Sequence, residues 1–148
     1  MKIYLVRHAE KESEGENPNL TKRGLLQAKY LAKKLKEIKF DEFYCSGLNR
    51  TKQTATIVSK EIKMKPEIEL SLNEYEGSDV KKSRAFWSKD DKTRYKKLIH
   101  FFKKITMDPN QEKNILIIAH GITNRIVMSY LLNISMKRII VSDKTRPV

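Results

Sequence analysis

Residues 114–121 read Asn-Ile-Leu-Ile-Ile-Ala-His-Gly, and this stretch decides the fold class. Its apolar run from Ile115 to Ala119 is typical of a short strand that is buried on both faces of a sheet. His120 and Gly121 end the run, and the sequence after them predicts a helix from about residue 122 to 132. A buried strand that leads directly into a helix indicates an α/β protein.

The rest of the chain repeats this alternation of strands and helices. Four further strands are predicted, at residues 2–6, 40–45, 67–70 and 138–142. Three further helices are predicted, at residues 22–38 with Thr21 as the N-cap, at 48–62, and from about Lys92 to the Asp108-Pro109-Asn110 sequence. This order predicts an α/β fold, with a mainly parallel sheet of about five or six strands and helices on both faces.

Length and composition are those of one globular domain, which we expect to span residues 1–148. The chain is 39% hydrophobic and 33% charged, so it can build a core and does not have the composition of a disordered chain. Its single cysteine, Cys45, cannot form an internal disulfide. The N-terminal apolar run is too short for a secretory signal, and no run reaches the ~20 apolar residues of a membrane helix. We therefore expect a cytoplasmic protein with no membrane contact.

The net charge of +13 allows two interpretations. It can attract anionic partners such as phosphorylated metabolites, phosphoproteins or nucleic acid. It can equally be a lysine-rich solvated surface with no function of its own. The charge by itself does not choose between the two.

Three predicted strand ends carry residues that are suited to chemistry. These are Arg7-His8, the segment from Ser46 to Arg50, and His120-Gly121. In parallel α/β folds, ligands bind beyond the carboxyl ends of the strands. If these strands are neighbours, His8 and His120 face each other across one pocket, with Arg7 and Arg50 pointing into it.

Two imidazoles and two guanidiniums favour an anion site over a metal site. A metal would call for more carboxylate or thiolate ligands, and the arginines would repel a cation. The planar fork of arginine matches the oxygens of a phosphate. A neutral imidazole can attack phosphorus as a nucleophile, and a second, protonated imidazole can donate to a phosphate oxygen. The reaction also needs an acid for the leaving oxygen, and spacing does not choose between Glu74 and Glu76.

Five segments of the chain resemble the histidine phosphatase superfamily, the phosphoglycerate mutase-like group with an Arg-His-Gly signature. They are Leu5-Val6-Arg7-His8-Ala9-Glu10; Leu20-Thr21-Lys22-Arg23-Gly24 with Gln27-Ala28; Ser46-Gly47-Leu48-Asn49-Arg50-Thr51-Lys52-Gln53-Thr54-Ala55; Leu72-Asn73-Glu74 followed by Glu76-Gly77; and Ala119-His120-Gly121. The sequence departs from the family pattern at two positions. Ala9 stands where glycine is usual, and Gly47 stands where proline is usual, but neither change removes a reacting group.

The resemblance implies a role for each site residue. His8 would carry the phosphoryl group as a phosphohistidine, while Arg7, Arg50 and His120, with Gly121 beside them, would bind the phosphoryl oxygens. Glu74, favoured over Glu76, would protonate the leaving group and then deprotonate the attacking water. Neither a metal nor another cofactor is expected.

Three functions remain in order of preference. The first is a phosphatase for a phosphorylated small molecule or phosphoprotein, because the short stretch between Glu74 and His120 resembles the compact phosphohistidine phosphatases and favours water as the acceptor. The second is a phosphoglycerate mutase. The third is a basic anion- or nucleic-acid-binding module without turnover, which only the net charge supports, since no nucleic-acid-binding signature is present. The physiological substrate and the oligomeric state do not follow from the sequence.

Overall fold

The computed structural model of the chain describes residues 1–75, 89–108 and 110–134. The elements in these ranges follow one another as four strands and four helices. In chain order they are β1 (Lys2–Arg7), α1 (Lys22–Leu35), β2 (Glu42–Cys45), α2 (Asn49–Ile62), β3 (Glu67–Ile68), α3 (Lys89–Ile105), β4 (Asn114–Ala119) and α4 (Gly121–Leu131). A short 3-10 helix, Leu70–Leu72, follows β3.

The strands form one parallel sheet in the order β1-β4-β2-β3. β4, the strand with the strongest apolar run, lies between β1 and β2, and Arg7 at the end of β1 pairs with Ala119 at the end of β4. Parallel neighbours end at the same edge of a sheet. The residues that follow β1, β2 and β4 therefore come together.

The two faces of β4 belong to two separate cores. Ile115, Ile117 and Ala119 pack in a cluster with apolar side chains of α3 and α4, while Leu116 and Ile118 pack in a cluster with those of α1 and α2. All five side chains are fully buried. This explains the unbroken apolar run, because a strand covered by helices on both faces has no side for polar residues.

The predicted α/β class is confirmed, with a parallel sheet and helices on both faces, but the sheet differs in size. Four strands are present in the part of the chain that the structure describes, fewer than the five or six expected. The predicted strand at 138–142 lies outside the described residues. The predicted strand at 67–70 is shortened to two residues, because Leu70 already begins the 3-10 helix.

Two helix boundaries also differ from the prediction. α1 ends at Leu35 and not at residue 38, since the backbone turns after Lys36 so that Ile38 and Phe40 pack in the cluster beneath α1 and α2. α3 begins at Lys89, before the predicted start near Lys92. Its first turn contains Asp90 and Asp91, whose carboxylates are favourable near the positive end of a helix.

No helix among the described residues is long and apolar enough to cross a membrane.

Candidate active site

The site is built where β1, β2 and β4 end. The backbone N–H of His8 donates to the carbonyl of Ala119 at 3.0 Å, and that of Ser46 donates to the carbonyl of Ile118 at 3.3 Å. These bonds continue the sheet one residue past β1 and β2. They fix the backbone of the nucleophile candidate and of the loop that leads to Arg50.

The imidazole of His8 is held in one orientation by its own neighbour. Its Nδ1 atom lies 2.7 Å from the carbonyl oxygen of Ala9. Because a carbonyl only accepts, Nδ1 carries the proton and Nε2 carries the lone pair. Nε2 in turn accepts from Nε–H of Arg50 at 3.3 Å. The nitrogen that carries the lone pair therefore faces the guanidinium of Arg50.

His8 is neutral at physiological pH. Burial lowers the pKa of its imidazole to about 4, and the positive charges of Arg50, Arg7 and Lys11 add to this effect, although the bond to Ala9 opposes it. An imidazole that is neutral at pH 7 has the free lone pair that attack on phosphorus requires.

Arg50 lies in the first turn of α2 and is buried, with 7% of its surface exposed. Thr54, one turn later, donates its hydroxyl to the carbonyl of Arg50 at 2.7 Å and accepts from the backbone N–H of Ala9 at 3.2 Å. This threonine therefore joins the helix that bears Arg50 to the loop that bears His8. Burial lowers the pKa of the Arg50 guanidinium, whereas the nearby Glu74 raises it.

His120 is fully buried, and its ring centroid lies 5.1 Å from that of His8. Its Nε2 atom is 2.7 Å from Oγ of Ser46, which is 2.6 Å from Oγ1 of Thr51. The hydroxyl of Thr51 donates to the carbonyl of Leu48 at 2.6 Å. Since Thr51 gives its proton to a carbonyl, it accepts from Ser46, and Ser46 accepts from Nε2–H of His120.

This chain of hydrogen bonds leaves Nδ1 of His120 as the unprotonated nitrogen. Nδ1 is buried, has no hydrogen-bond partner among the described residues, and lies 3.7 Å from Oε2 of Glu74. Burial lowers the pKa of His120 to about 2, and the positive charges of His8 when protonated, Arg50, Arg7 and Arg94 act in the same direction. With the charges of the protein alone, this ring is neutral at pH 7. The protonated form expected from the sequence needs a neighbouring anion.

The carboxyl group of Glu74 lies at the N-terminus of α4. Burial raises its pKa, while the backbone N–H groups of Thr123 and Ile122 and the charges of Arg50 and Arg7 lower it; the net direction is upward. A raised pKa keeps more of the acid form available near neutral pH, which is the form that can protonate a leaving group.

Arg7 and Gly121 are the last two of the site residues predicted from the sequence. A Cβ atom at position 121 would lie 3.5 Å from Cζ of Arg7, so the guanidinium passes beside this glycine. Arg7 ends β1 and is exposed at the mouth of the site. The structure thus brings together all six residues predicted from the sequence: His8, Arg7, Arg50, Glu74, His120 and Gly121. Glu76, the alternative acid, lies outside the described residues.

The same site contains three atoms that can bind a metal. One ligand atom each from His8, Glu74 and His120 lie within 4.8 Å of one another. Arg50, however, places Nε 3.3 Å from the imidazole of His8, and Arg7 adds a second positive charge beside Gly121. Two fixed guanidiniums oppose a cation and favour an oxyanion. The arrangement fits a phosphate group better than a metal ion.

The family-like segment from Leu20 to Ala28 holds the loop after His8 against α1. Thr21 caps α1 by accepting from Gly24 N–H at 2.9 Å and donates its hydroxyl to Glu10 at 2.8 Å. Gln27 accepts from the backbone N–H of Glu10 at 2.8 Å. A Cβ atom at position 24 would collide with the carbonyl oxygen of Glu10, so the loop can approach this closely only above a glycine.

Four residues around the site have contacts that the sequence did not predict. Ser46 and Thr51 orient His120. Asn73, next to Glu74, accepts from the backbone N–H of Gly47, and Arg94 donates to the carbonyl of Glu74. Ser46, Thr51 and Asn73 lie inside the family-like segments, so the resemblance marked their positions without giving a role. For Arg94 the sequence carries no signal, because it is one of many basic residues on α3.

A family model identifies the class of protein. The model of the histidine phosphatase superfamily (branch 1) matches residues 3–142. The chain therefore belongs to this superfamily of phosphatases and phosphoglycerate mutase-like enzymes, as the resemblance indicated.

Individual relatives are distant. A Schizosaccharomyces pombe protein named "Probable phosphatase C1687.21" is 23% identical over 146 residues, which cover 82% of this chain and 68% of that protein. Three further curated relatives are much longer, and the chain spans between 22% and 33% of their length.

Two solved structures illustrate the shared fold. The α-ribazole phosphatase from Shigella flexneri has a TM-score of 0.69 at 22% identity, covering 93% of this chain and 82% of that one. A phosphoglycerate mutase from Plasmodium falciparum has a TM-score of 0.62 at 26% identity, covering 89% and 69%.

Proposed function

We propose that this protein is a metal-independent phosphatase that hydrolyses phosphomonoesters, or a phosphoamidate, through a phosphohistidine on His8. The observation that carries the proposal is the orientation of His8. Its Nδ1–H is bound by the carbonyl of Ala9 at 2.7 Å, and its Nε2 lone pair faces Arg50 at 3.3 Å. A nucleophile held in this tautomer beside an anion-binding guanidinium is suited to attack on a phosphoryl group.

In the first step, Nε2 of His8 forms a bond to phosphorus as the bond from phosphorus to the leaving oxygen breaks. Glu74 gives its proton to that oxygen, and the alcohol departs. Arg7 and Arg50 stabilise the charge on the phosphoryl oxygens as it spreads in the transition state, and His120 donates to one of them once it is protonated.

In the second step, water attacks the phosphohistidine. Glu74, now a carboxylate, takes a proton from this water as the new oxygen–phosphorus bond forms and the nitrogen–phosphorus bond breaks. Inorganic phosphate leaves, and His8 and Glu74 return to their starting protonation states. No metal or other cofactor takes part in either step.

The substrate is expected to be a phosphorylated small molecule or a phosphoprotein, since both present a phosphomonoester. The single domain over 1–148 and the cytoplasmic location stay predictions from composition. Binding of nucleic acid without turnover has only the net charge of +13 in its favour.

A phosphoglycerate mutase is the second candidate, and the likeness to the Plasmodium falciparum mutase supports it. A mutase would transfer the phosphoryl group back to a sugar acid and not to water. The two candidates share every residue of the first step, so only the acceptor distinguishes them.

The test is a screen for phosphate release from sugar phosphates, nucleotides, phosphohistidine and phosphoproteins, run beside His8→Ala. The matched control is His100→Ala, which removes an exposed histidine on α3 outside the site. We expect the wild type and His100→Ala to release phosphate and His8→Ala to release essentially none.

Full turnover by His8→Ala would overturn the proposal. Conversion of 3- to 2-phosphoglycerate faster than phosphate release would replace it with the mutase. Salt-sensitive retention of DNA with no phosphate release from any ester would favour the binding module.

A further inference from the structure

Asn73, directly before Glu74, lies where three parts of the site meet. Its side-chain oxygen accepts from the backbone N–H of Gly47 at 2.8 Å. Its backbone carbonyl accepts from the hydroxyl of Thr123 at 3.1 Å and from Nη2 of Arg94 at 3.1 Å. The residue before the acid is therefore bound from three sides.

Each of these donors belongs to a different element. Gly47 lies in the loop between β2 and α2, three residues before Arg50, and Thr123 lies in the first turn of α4, three residues after His120. Arg94 lies on α3. Asn73 thus connects the segment of the acid to the loop before Arg50 and to the helix that follows His120.

Arg94 strengthens this connection with a charged donor. Its Nη2 also donates to the carbonyl of Glu74 at 2.8 Å, and its guanidinium lies 4.4 Å from the ring centroid of Tyr75, which is buried. Hydrogen bonds from a charged donor are stronger than those between neutral groups. The backbone on both sides of the Glu74 side chain is therefore held against α3.

The bond between Gly47 and Asn73 depends on one of the two departures from the family pattern. Proline is the residue that the resemblance expects at position 47, and proline has no backbone N–H to donate. Gly47 supplies that N–H, and Asn73 accepts from it. The change that loosens the turn before Arg50 thus also creates a hydrogen bond that holds the acid segment.

We propose that Asn73 is a positioning residue for Glu74 and that the Gly47–Asn73 hydrogen bond fixes the acid relative to the phosphate site. The inference rests on the proposed function, because it assumes that Glu74 protonates the leaving group. Asn73 itself does not touch the substrate. It acts by keeping the carboxyl group near His120 and the leaving oxygen.

The readout is the dependence of kcat/KM on the leaving group, because kcat/KM reports the first step and not the hydrolysis of the phosphohistidine, in which Glu74 is the base for either ester. An alkyl ester such as phosphoserine needs protonation of its leaving oxygen, whereas p-nitrophenyl phosphate leaves readily without it. A displaced acid therefore slows the alkyl ester and spares the aryl ester. A general loss of folding or of phosphate binding would slow both.

The experiment compares two matched pairs of variants with both esters. Asn73→Leu removes the acceptor at similar size, and Asn73→Asp keeps an acceptor oxygen. Gly47→Pro removes the N–H, and Gly47→Ala keeps it. Both substitutions at position 47 add the same Cβ atom, which would lie 2.7 Å from the end of the Leu70 side chain and 3.3 Å from Oδ1 of Asn73. The alanine variant therefore controls for the added bulk.

We expect Asn73→Leu and Gly47→Pro each to slow hydrolysis of phosphoserine by about tenfold and that of p-nitrophenyl phosphate by about twofold or less. Asn73→Asp and Gly47→Ala should stay near the wild type with both esters. The double variant Asn73→Leu/Gly47→Pro should be no slower than the slower single variant, since both remove the same bond.

Equal slowing of both esters by Asn73→Leu and Gly47→Pro, or additive effects in the double variant, would overturn the inference. Should Asn73→Leu fail to fold, the pair at position 47 decides. Glu74→Gln serves as the reference for loss of the acid. One outcome is that Glu74→Gln slows the hydrolysis of phosphoserine alone while Asn73→Leu and Gly47→Pro slow neither ester. In that case the positioning role is wrong and the proposed function stands. If Glu74→Gln shows no leaving-group effect, the acid assignment itself fails.

Discussion

The imidazole rings of His8 and His120 lie with their centroids 5.1 Å apart at an interplanar angle of 61°. They come from opposite ends of the chain and meet because β1 and β4 are parallel neighbours in register, with Arg7 paired to Ala119. Both rings have lowered pKa values, and the charge of protonated His8 contributes to the lowering for His120. Two adjacent neutral imidazoles therefore offer one candidate nucleophile and one candidate donor to a single phosphate.

The guanidinium of Arg50 should not be replaceable by an ammonium group. Arg50→Lys keeps the charge but loses the planar fork that fits two phosphate oxygens. We expect kcat/KM for p-nitrophenyl phosphate to fall by at least about tenfold, with a rise in KM. Arg23→Lys, on the exposed side of α1, should leave kcat/KM nearly unchanged. Equal kinetics for Arg50→Lys and Arg23→Lys would contradict the anion-binding role.

Binding of an oxyanion should draw a proton onto the site. His120 is neutral at pH 7 because burial and positive neighbours lower its pKa to about 2. A phosphate or vanadate ion adds negative charge beside the ring and raises that pKa. Titration calorimetry with vanadate in buffers of different ionisation enthalpy should reveal net proton uptake at pH 7. His120→Gln should reduce it, and uptake of the same size in the variant would contradict this role of His120.

The free energy of unfolding should fall as the solution becomes acidic. In the unfolded chain both rings titrate near 6.5, whereas in the folded protein the pKa of His8 is about 4 and that of His120 about 2. Below pH 6.5 unfolding therefore takes up protons, and the stability present above 6.5 is lost as the pH falls through 4. Each ring contributes a slope of up to about 1.4 kcal/mol per pH unit in that window.

Glu74 acts in the opposite direction, because its raised pKa makes the folded state bind a proton more readily. The double variant His8→Gln/His120→Gln lacks both histidines. In urea titrations at pH 7, 6 and 5, its free energy of unfolding should therefore decline less than that of the wild type. Parallel declines in the two proteins would show that these rings do not set the pH dependence.

Much of the site followed from the sequence because it depends on strand ends. The apolar run of β4 identified a strand buried on both faces, and parallel order then placed His8, Arg50 and His120 at one edge. The end of α1 and the number of strands did not follow, since both depend on packing between distant segments. In particular, Ile38 had helical spacing but packs with Phe40 outside the helix.

The hydrogen bonds that orient the reacting groups could not be predicted. The bonds from His120 to Ser46 and from Gly47 to Asn73 join segments that are distant in sequence, and their relative position is a result of the whole fold. A serine or asparagine in a loop forms such bonds with whatever polar group the fold brings near. Residue type and spacing alone do not name the partner.

Gly24 should tolerate no side chain, although it lies within α1. Alanine is the better helix former by about 1 kcal/mol, but its Cβ atom would collide with the carbonyl of Glu10. We expect Gly24→Ala to lower the free energy of unfolding by about 1–3 kcal/mol in urea titrations, because the loop after His8 must move. Lys33→Ala, at an exposed position on the same helix, should be nearly neutral. A stabilised Gly24→Ala variant would contradict the close contact.

The most direct test of the central claim is to identify the phosphorylated residue during turnover. The protein is mixed with a radiolabelled phosphomonoester that it hydrolyses in the phosphate-release screen, denatured in alkali within the first turnover, and digested for mapping of the label. We expect one alkali-stable, acid-labile phosphoryl group on the peptide that contains His8, and none in His8→Ala. Active enzyme that never carries label, or label on the peptide that contains His120, would contradict the account.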